Sequence, residues 1–154
     1  MESNEKIERT YYNSRYRFGV DAKRRVQIPS KWRPTESGTE LTLVVWPKAR
    51  EGPCLRVLPP AKMDELVREI VAMPSSDLNK PVLKRFIGGE SIQVTVDRAG
   101  RVCLPEEMCK AAGITNEAVL VGMLDQFEIW SPERFEKMKV YDEVMSQEAF
   151  RRME

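Results

Sequence analysis

VDRAGRVCLP occupies residues 96–105, and a related stretch, VDAKRRVQIP, occupies residues 20–29. The two stretches lie 76 residues apart and share the first valine, the aspartate, the arginine four residues after it, the next valine and the final proline. An internal repeat constrains the architecture before any local pattern does. Two copies are too few for a solenoid, so the repeat predicts a tandem duplication of one small β unit.

A second pair of segments aligns further along the chain. Its matched positions are Leu55 with Phe127, Val57 with Ile129, Pro60 with Pro132, and Met63 with Phe135. Agreement in two separated blocks argues against chance and supports the duplication.

Apolar periodicity predicts the elements of each unit. Alternation with a period of two predicts strands at 16–20 and 26–28, and further short apolar segments predict strands at 41–46, 55–58, 91–96, 101–104, 118–123 and 127–130. Helical spacing predicts short helices at 31–33, after an N-cap at Ser30, and at 105–112, ended by Gly113. Longer helices are predicted at 61–73, from Leu78 to a stop at Gly88-Gly89, and after Ser131-Pro132.

Composition limits the function classes. The 154 residues suffice for one domain or for two half-sized units that share a core. The chain has no histidine, and its three cysteines form no CxxC pair, so neither histidine-based catalysis nor a metal site is expected. No glycine-rich phosphate loop is present, and no cofactor is predicted.

The three unpaired cysteines favour a cytoplasmic protein with reduced thiols, and hydropathy adds two expectations. The longest apolar run, Leu41–Trp46, is far shorter than the roughly 20 residues that span a bilayer, so no membrane association is expected. The first six residues contain no apolar segment, so no secretory signal is expected either.

The charge distribution is uneven although the net charge is only +1. Between residues 9 and 33 one acid, Asp21, stands among eight basic residues: Arg9, Arg15, Arg17, Lys23, Arg24, Arg25, Lys31 and Arg33. A basic segment balanced by acidic segments elsewhere is typical of a protein with one phosphate-binding face. A solvated charged surface is the simpler interpretation.

The repeated motif has a direct physical interpretation. Asp at the start of a turn accepts backbone N–H groups, and Gly100 supplies a positive φ without steric cost. The motif could be purely structural, with an ion pair worth less than about 1 kcal/mol when exposed. The first copy has Arg24 in place of the glycine, which implies either a different turn geometry or a strained residue kept for its cation.

Two copies of the motif favour nucleic-acid binding. A duplicated hairpin yields paired two-stranded ribbons, which fit the major groove of B-DNA, and arginine is well shaped to grip phosphate or the guanine edge. In this hypothesis the basic residues contact DNA, and the two aspartates hold and orient the turns. The candidate DNA-binding residues are Arg15, Arg17, Asp21, Lys23, Arg24, Arg25, Asp97, Arg98 and Arg101.

These residues carry a resemblance to a known family. Residues 21–25 and 97–101, each followed by a β-branched residue and then a proline, resemble the paired DxxxR motifs of the MraZ transcriptional regulators. Residues 54–59 and 119–130 are also similar, and the resemblance covers about residues 12–140. The positions that match the family motif are Asp21, Lys23, Arg25, Asp97 and Arg101.

The resemblance implies the fold and the biology. The fold class would be α+β, with tandem duplicated swapped-hairpin β-barrel units of the SpoVT/AbrB type, short helices between them and a C-terminal helix. The implied boundaries are unit one at 15–62, a helical connector at 63–90, unit two at 91–134 and a C-terminal amphipathic helix at 135–154.

The implied protein is a cytoplasmic, nucleoid-associated repressor. It would bind repeated G-rich boxes in double-stranded promoter DNA upstream of the division and cell-wall gene cluster, including its own gene. Its chains would assemble into a closed homo-oligomeric ring, commonly an octamer.

Three alternatives remain open. An AbrB-like antitoxin would neutralise a toxin through the C-terminal helix. An enzyme would use Asp21 and Asp97 as paired carboxylates, which predicts a raised carboxyl pKa. A purely structural ring protein would show no salt-dependent DNA binding.

Overall fold

The computed structural model describes residues 11–47 and 50–153. Arg9 and the segment in which no secretory signal is predicted lie outside these residues. The strands are β1 (Arg15–Gly19), β2 (Arg25–Gln27), β3 (Leu41–Trp46), β4 (Cys54–Leu58), β5 (Ser91–Val94), β6 (Arg101–Cys103), β7 (Glu117–Gly122) and β8 (Phe127–Trp130). The α-helices are α1 (Pro60–Val71), α2 (Asn79–Glu90), α3 (Glu106–Ala112) and α4 (Pro132–Arg151), and a 3-10 helix spans Ser30–Trp32.

The strands form two sheets, which together with the helices make an α+β fold. Six antiparallel strands lie in the order β1-β7-β8-β4-β3-β5. Strands β2 and β6 form a separate antiparallel pair, here called the ribbon.

Strands of the first repeat pair with strands of the second. β1 pairs with β7, β3 with β5, β4 with β8, and β2 with β6. The sheet order therefore reads the same from either end when each strand is exchanged for its counterpart in the other repeat.

The expected β-barrel units are a point of correction. In the described part of the chain the sheet is open, ending at β1 and β5, and the ribbon remains two-stranded. The reason lies in the hairpins: only one bridge, between Val20 and Val26, links the β1 and β2 arms. Strands β1 and β2 each pair instead with a strand of the other repeat, so neither repeat forms a closed barrel by itself.

The core lies between the ribbon and the six-stranded sheet, and smaller clusters lie on the other face. Alternation along β4 illustrates the arrangement, because Leu55 and Val57 face the main core whereas Cys54 and Leu58 face the helices. The helical face is covered by α1, α2 and the first turns of α4. Burial on both faces explains why β3 is a continuous apolar run rather than an alternating one.

Most local predictions are confirmed, including the ends of two helices. Ser131 caps α4 by accepting the backbone N–H of Arg134 at 3.2 Å, and Pro132 is the first helical residue. Gly113 ends α3 with a φ of 71°, as expected of a left-handed C-cap.

Two local predictions are wrong. Ser30 makes no capping hydrogen bond, because it is already the first residue of the 3-10 helix after Pro29. Helix α2 does not stop at Gly88-Gly89 but runs through both to Glu90, and neither glycine has a positive φ. Glycine lowers helix propensity without forbidding the helical conformation, and β5 begins at the next residue.

Candidate nucleic-acid interface

The two repeat turns share one hydrogen-bond pattern built on their aspartates. Oδ1 of Asp21 accepts the backbone N–H groups two and four residues further along, at 2.9 and 2.8 Å. Oδ1 of Asp97 accepts the corresponding two N–H groups, both at 2.9 Å. A short Asp side chain commonly accepts nearby backbone N–H groups in this way, in a geometry that resembles a backbone turn. Each aspartate therefore holds its own turn.

The backbone of the two turns is also the same. In each, the aspartate carbonyl accepts the N–H three residues on, at 2.9 Å. The residue that donates has a positive φ, 60° at Arg24 and 81° at Gly100. This is a three-residue hairpin loop that ends in a left-handed residue. Arg24 has thus kept the glycine geometry, at a conformational cost of roughly 1–2 kcal/mol.

Each motif arginine turns back to its aspartate, but the two pairs differ in geometry. Nε of Arg25 donates to Oδ2 of Asp21 at 2.7 Å. Nε of Arg101 lies 3.4 Å from Oδ2 of Asp97, an ion-pair distance without hydrogen-bond geometry. Nη1 of Arg101 also lies 3.8 Å from Oδ2 of Asp21. The second arginine therefore links the two turns, and both motifs lie on one surface.

Both aspartates are held ionised. Hydrogen bonding from the backbone N–H of Arg25 is the main cause that keeps the pKa of Asp21 below its ordinary value of 3.8, and the Arg25 guanidinium adds to it. The N–H and charge of Arg101 lower the pKa of Asp97 in the same way. A catalytic pair that shares a proton would instead raise one pKa. The lowered pKa values weigh against the paired-carboxylate enzyme.

The ribbon turns polar side chains outward between the two turns. Val26 pairs with Val102, and both side chains are buried in the core. Because side chains alternate along a strand, the neighbours of these valines face away from the core. The outward positions are Arg25 and Gln27 on β2, and Arg101 and Cys103 on β6.

Gln27 and Cys103 were not among the sequence-predicted site residues. Each reaches the opposite turn, since Nε2 of Gln27 donates to the carbonyl of Ala99 at 3.2 Å and Sγ of Cys103 to that of Lys23 at 3.3 Å. The signal that could have found them is their spacing, one residue from a buried valine in each repeat.

The loop tips carry exposed cations. Lys23 and Arg98 have exposed side chains. Neither side chain forms a hydrogen bond or ion pair with another described residue. Both are therefore available to an external anion, beside the two motif arginines.

Three predicted site residues have partners within the fold. The guanidinium of Arg15 lies 5.6 Å from the ring centre of Phe135 in α4. Arg17 forms an ion pair with Glu117 across β1 and β7. Nε of Arg24 donates to the carbonyl of Leu104 at 3.1 Å. Arg15 and Arg17 thus belong to the sheet and its helix, whereas Arg24 stays at the ribbon.

The fold and this surface define a class: an α+β protein that presents a basic, turn-locked ribbon suited to nucleic acid. A family model described as "MraZ protein, putative antitoxin-like" matches residues 87–154. The transcriptional regulator MraZ of Caulobacter vibrioides (strain NA1000 / CB15N) is 32% identical over 129 residues, which are 84% of this chain and 82% of that protein.

Two further relatives give the same result. The transcriptional regulator MraZ of Rickettsia africae is 35% identical over 126 residues, 80% of this chain and 83% of the relative. That of Rickettsia typhi is 33% identical over 137 residues, 88% of this chain and 91% of the relative. The chain belongs to the MraZ family of transcriptional regulators, which is not an enzyme class, and the resemblance drawn from its motifs is confirmed.

Among the described residues, no helix combines the length and the apolar character needed to cross a membrane.

Proposed function

We propose that this chain is a sequence-specific regulator that binds double-stranded DNA through the ribbon and its two turns. The observation that carries the proposal is the meeting of the two DxxxR turns on one surface, where Nη1 of Arg101 lies 3.8 Å from Oδ2 of Asp21. A two-stranded ribbon has the width of a B-DNA major groove. No chemical step is assigned to the site, and the protein acts as a binding module rather than an enzyme.

Each group at the surface has a distinct role in this proposal. Asp21 and Asp97 fix the turns and hold the arginine stems. Arg25 and Arg101, whose side chains are each 32% exposed, turn their remaining N–H groups toward the groove. The exposed Lys23 and Arg98 neutralise phosphates on either side, a contact that positions the protein without reading sequence.

The operator is proposed to be G-rich and repeated. Arginine gives two parallel hydrogen bonds to the O6 and N7 atoms of guanine, which supports a preference for G at the positions facing Arg25 and Arg101. By family resemblance the target is the promoter of the division and cell-wall gene cluster, including the chain's own gene, with repression as the outcome. On the same resemblance we propose a cytoplasmic location and an association with the nucleoid.

Ring assembly is proposed as the way several ribbons reach repeated boxes. Apolar side chains remain exposed on α1 and α2, among them Val71 at 57% and Val82 at 54%. Among the described residues, the sheet also ends in two strands, β1 and β5, that each pair with one neighbouring strand of the sheet. Native mass spectrometry should give a closed oligomer, with the octamer as the expected species. A monomer at micromolar concentration would contradict the ring.

DNA binding is tested by fluorescence anisotropy on the region upstream of the chain's own gene, beside a scrambled duplex, across a salt series. The expected result is tighter binding to the native duplex and a steep loss of affinity with salt, since each phosphate contact adds about −0.9 to the logarithmic slope. Weak and equal binding to both duplexes would refute a reading role for the ribbon.

The arginines are tested by the double variant Arg25→Ala/Arg101→Ala. Its matched control is Arg151→Ala/Arg152→Ala, which removes the same charge from exposed side chains at the C-terminal end of α4, whose ion pairs within the described part of the chain are with Glu148. The ribbon variant should lose sequence preference and salt slope, whereas the control should keep both. Arg25→Lys/Arg101→Lys separates the two contact types, because lysine retains phosphate attraction but loses the two-pronged base contact.

An antitoxin-like role is the second candidate, favoured by the family model's description and by α4. No residue of α4 is buried, and Val144 and Phe150 are 73% and 69% exposed. Such a helix fits the groove of a partner protein. A small protein that co-purifies in stoichiometric amounts from the native host, and is lost on Val144→Asp, would support this role. Retained regulation without such a partner would count against it.

A further inference from the structure

An arginine from the 3-10 helix segment closes the second repeat turn. Gly100 has a φ of 81°, and a β-carbon added there would overlap the guanidinium of Arg33. Nε of Arg33 donates to the carbonyl of Ile28 at 2.8 Å. The N–H of Ile28 in turn donates to the carbonyl of Gly100, also at 2.8 Å. The space beside Gly100 is thus filled by a side chain that comes from the first repeat.

The first repeat turn has the same closure from a different source. The N–H of Leu104 donates to the carbonyl of Arg24 at 2.8 Å, and the carbonyl of Leu104 accepts Nε of Arg24 at 3.1 Å. Ile28 and Leu104 are counterparts in the repeat, as are Arg24 and Gly100. A guanidinium therefore bonds the equivalent carbonyl at both turns.

The position equivalent to Arg33 in the second repeat is Cys109, 76 residues further on. Cys109 is a small, buried residue. Burial raises the pKa of its thiol, and the positive charge of the Arg24 guanidinium opposes that rise. The second repeat turn thus has a small residue, Gly100, in the loop and an arginine, Arg33, just after the 3-10 helix. The first repeat turn has an arginine, Arg24, in the loop and a small residue, Cys109, in α3.

We propose that Arg24 and Arg33 are equivalent positioning residues, each closing one turn of the ribbon, and that Arg24 with Cys109 is the reciprocal of Gly100 with Arg33. The function follows from geometry: the fixed turns hold Arg25 and Arg101 at equivalent positions of the two repeats. This inference rests on the proposed DNA-binding function for its consequence, but the exchange itself can be measured without DNA.

The test is a double-mutant cycle on the full-length chain with Arg24→Gly and Cys109→Arg. Arg24→Gly leaves the Leu104 carbonyl without its donor, and Cys109→Arg forces two guanidinium groups into one space. Arg24→Gly also relieves the positive φ at this position, so its unfolding temperature should stay close to wild type, whereas Cys109→Arg should lower it. Each single variant should bind the upstream duplex about tenfold more weakly, the size expected for one lost charged hydrogen bond. The double variant should return close to wild type in both measurements.

The salt slope separates positioning from direct contact. The double variant keeps the net charge but moves the guanidinium from the turn to α3. If Arg24 only closes the turn, the slope is unchanged. If Arg24 itself binds phosphate, the double variant loses about 0.9 from the slope and affinity is not restored, which would overturn the proposal.

The second turn provides an independent check. Gly100→Arg should overlap Arg33 and destabilise the chain, Arg33→Cys should lose the Ile28 contact, and Gly100→Arg/Arg33→Cys should recreate the arrangement of the first turn. The double variant should be more stable than Gly100→Arg alone. No recovery of the unfolding temperature in either cycle would refute the exchange, whatever the DNA result. Wild-type chain that fails to prefer its upstream duplex would refute the function and leave the exchange standing.

Discussion

Val26 faces Val102 across the ribbon, whereas Arg56 faces Glu128 across β4 and β8 of the sheet. In each pair, the two residues occupy equivalent positions of the two aligned repeats. At the ribbon the counterparts are identical and apolar. At the sheet they are opposite in charge.

The sheet pair is built as a specific, buried contact. Nε of Arg56 donates to Oε2 of Glu128 at 3.0 Å, and the indole N–H of Trp130 donates to Oε1, also at 3.0 Å. The Arg56 guanidinium lies 3.9 Å from the ring centre of Trp46. Glu128 is only 7% exposed. The ribbon pair is therefore the same from both repeats, whereas the sheet pair needs an arginine from one repeat and a glutamate from the other.

The largest expected effect comes from breaking the sheet pair. Glu128→Arg places two guanidinium groups together in a largely buried site, and loss of a buried partner typically costs about 3–5 kcal/mol. Urea unfolding should show a strong drop in the free energy of unfolding. The exchanged variant Arg56→Glu/Glu128→Arg should recover part of that loss, since the ion pair returns without its contacts to Trp46 and Trp130. No recovery would mean that the pair contributes shape rather than charge.

The ribbon pair should behave as two equal sites. Val26 and Val102 are 0% and 2% exposed, and truncation of either to alanine removes two buried methyl groups. Each substitution should lower the free energy of unfolding by about 2 kcal/mol, to a similar extent. Urea unfolding of the two variants measures this, with the exposed Val140→Ala as the control. A large inequality would show that the ribbon is asymmetric in its packing.

The turn aspartates should contribute a smaller, pH-dependent effect. Because the folded pKa of Asp21 is below its ordinary 3.8, its ionised form stabilises the fold; this contribution is complete above that value and is lost as pH falls through the folded pKa. The stability difference between wild type and Asp21→Asn should therefore shrink in acid. Asp97→Asn should show a weaker effect, because its Arg101 contact is longer, 3.4 against 2.7 Å at Arg25. Chemical unfolding between pH 3 and 7 tests both, and a difference that grows in acid would contradict the assignment.

Much of this comparison was predictable from the sequence, but the strand partners were not. The alternation at β4 predicts which residues share a face of the sheet, but it does not predict which strand lies beside β4. Only the folded chain brings Arg56 to Glu128 or β1 to β7. The aspartates and arginines of the turns could be identified because their contacts are local.

Arg24 and Gln27 make contacts that could not be predicted from the sequence. The positive φ of Arg24 is tolerated with a contact to Leu104, 80 residues away, which no local pattern contains. Gln27 carries no charge, so the distribution of basic residues does not indicate it, although its position next to the buried Val26 sets it on the outward face. Residues that act through distant or neutral contacts are thus the ones that a motif alone does not identify.

The smallest expected effect concerns the two loop tips, where each repeat carries an exposed cation at a different position. Lys23 is the second residue after Asp21, and Arg98 is the first after Asp97. Both side chains are exposed, so their removal should leave the free energy of unfolding unchanged. Lys23→Ala and Arg98→Ala should each weaken binding to native and scrambled duplexes alike and reduce the salt slope by about 0.9, because a phosphate contact carries no sequence information. Anisotropy at three salt concentrations separates the outcomes. A loss of affinity confined to the native duplex would instead indicate that the tip contacts bases in the groove. The two turns would then differ in sequence recognition although they share one backbone geometry.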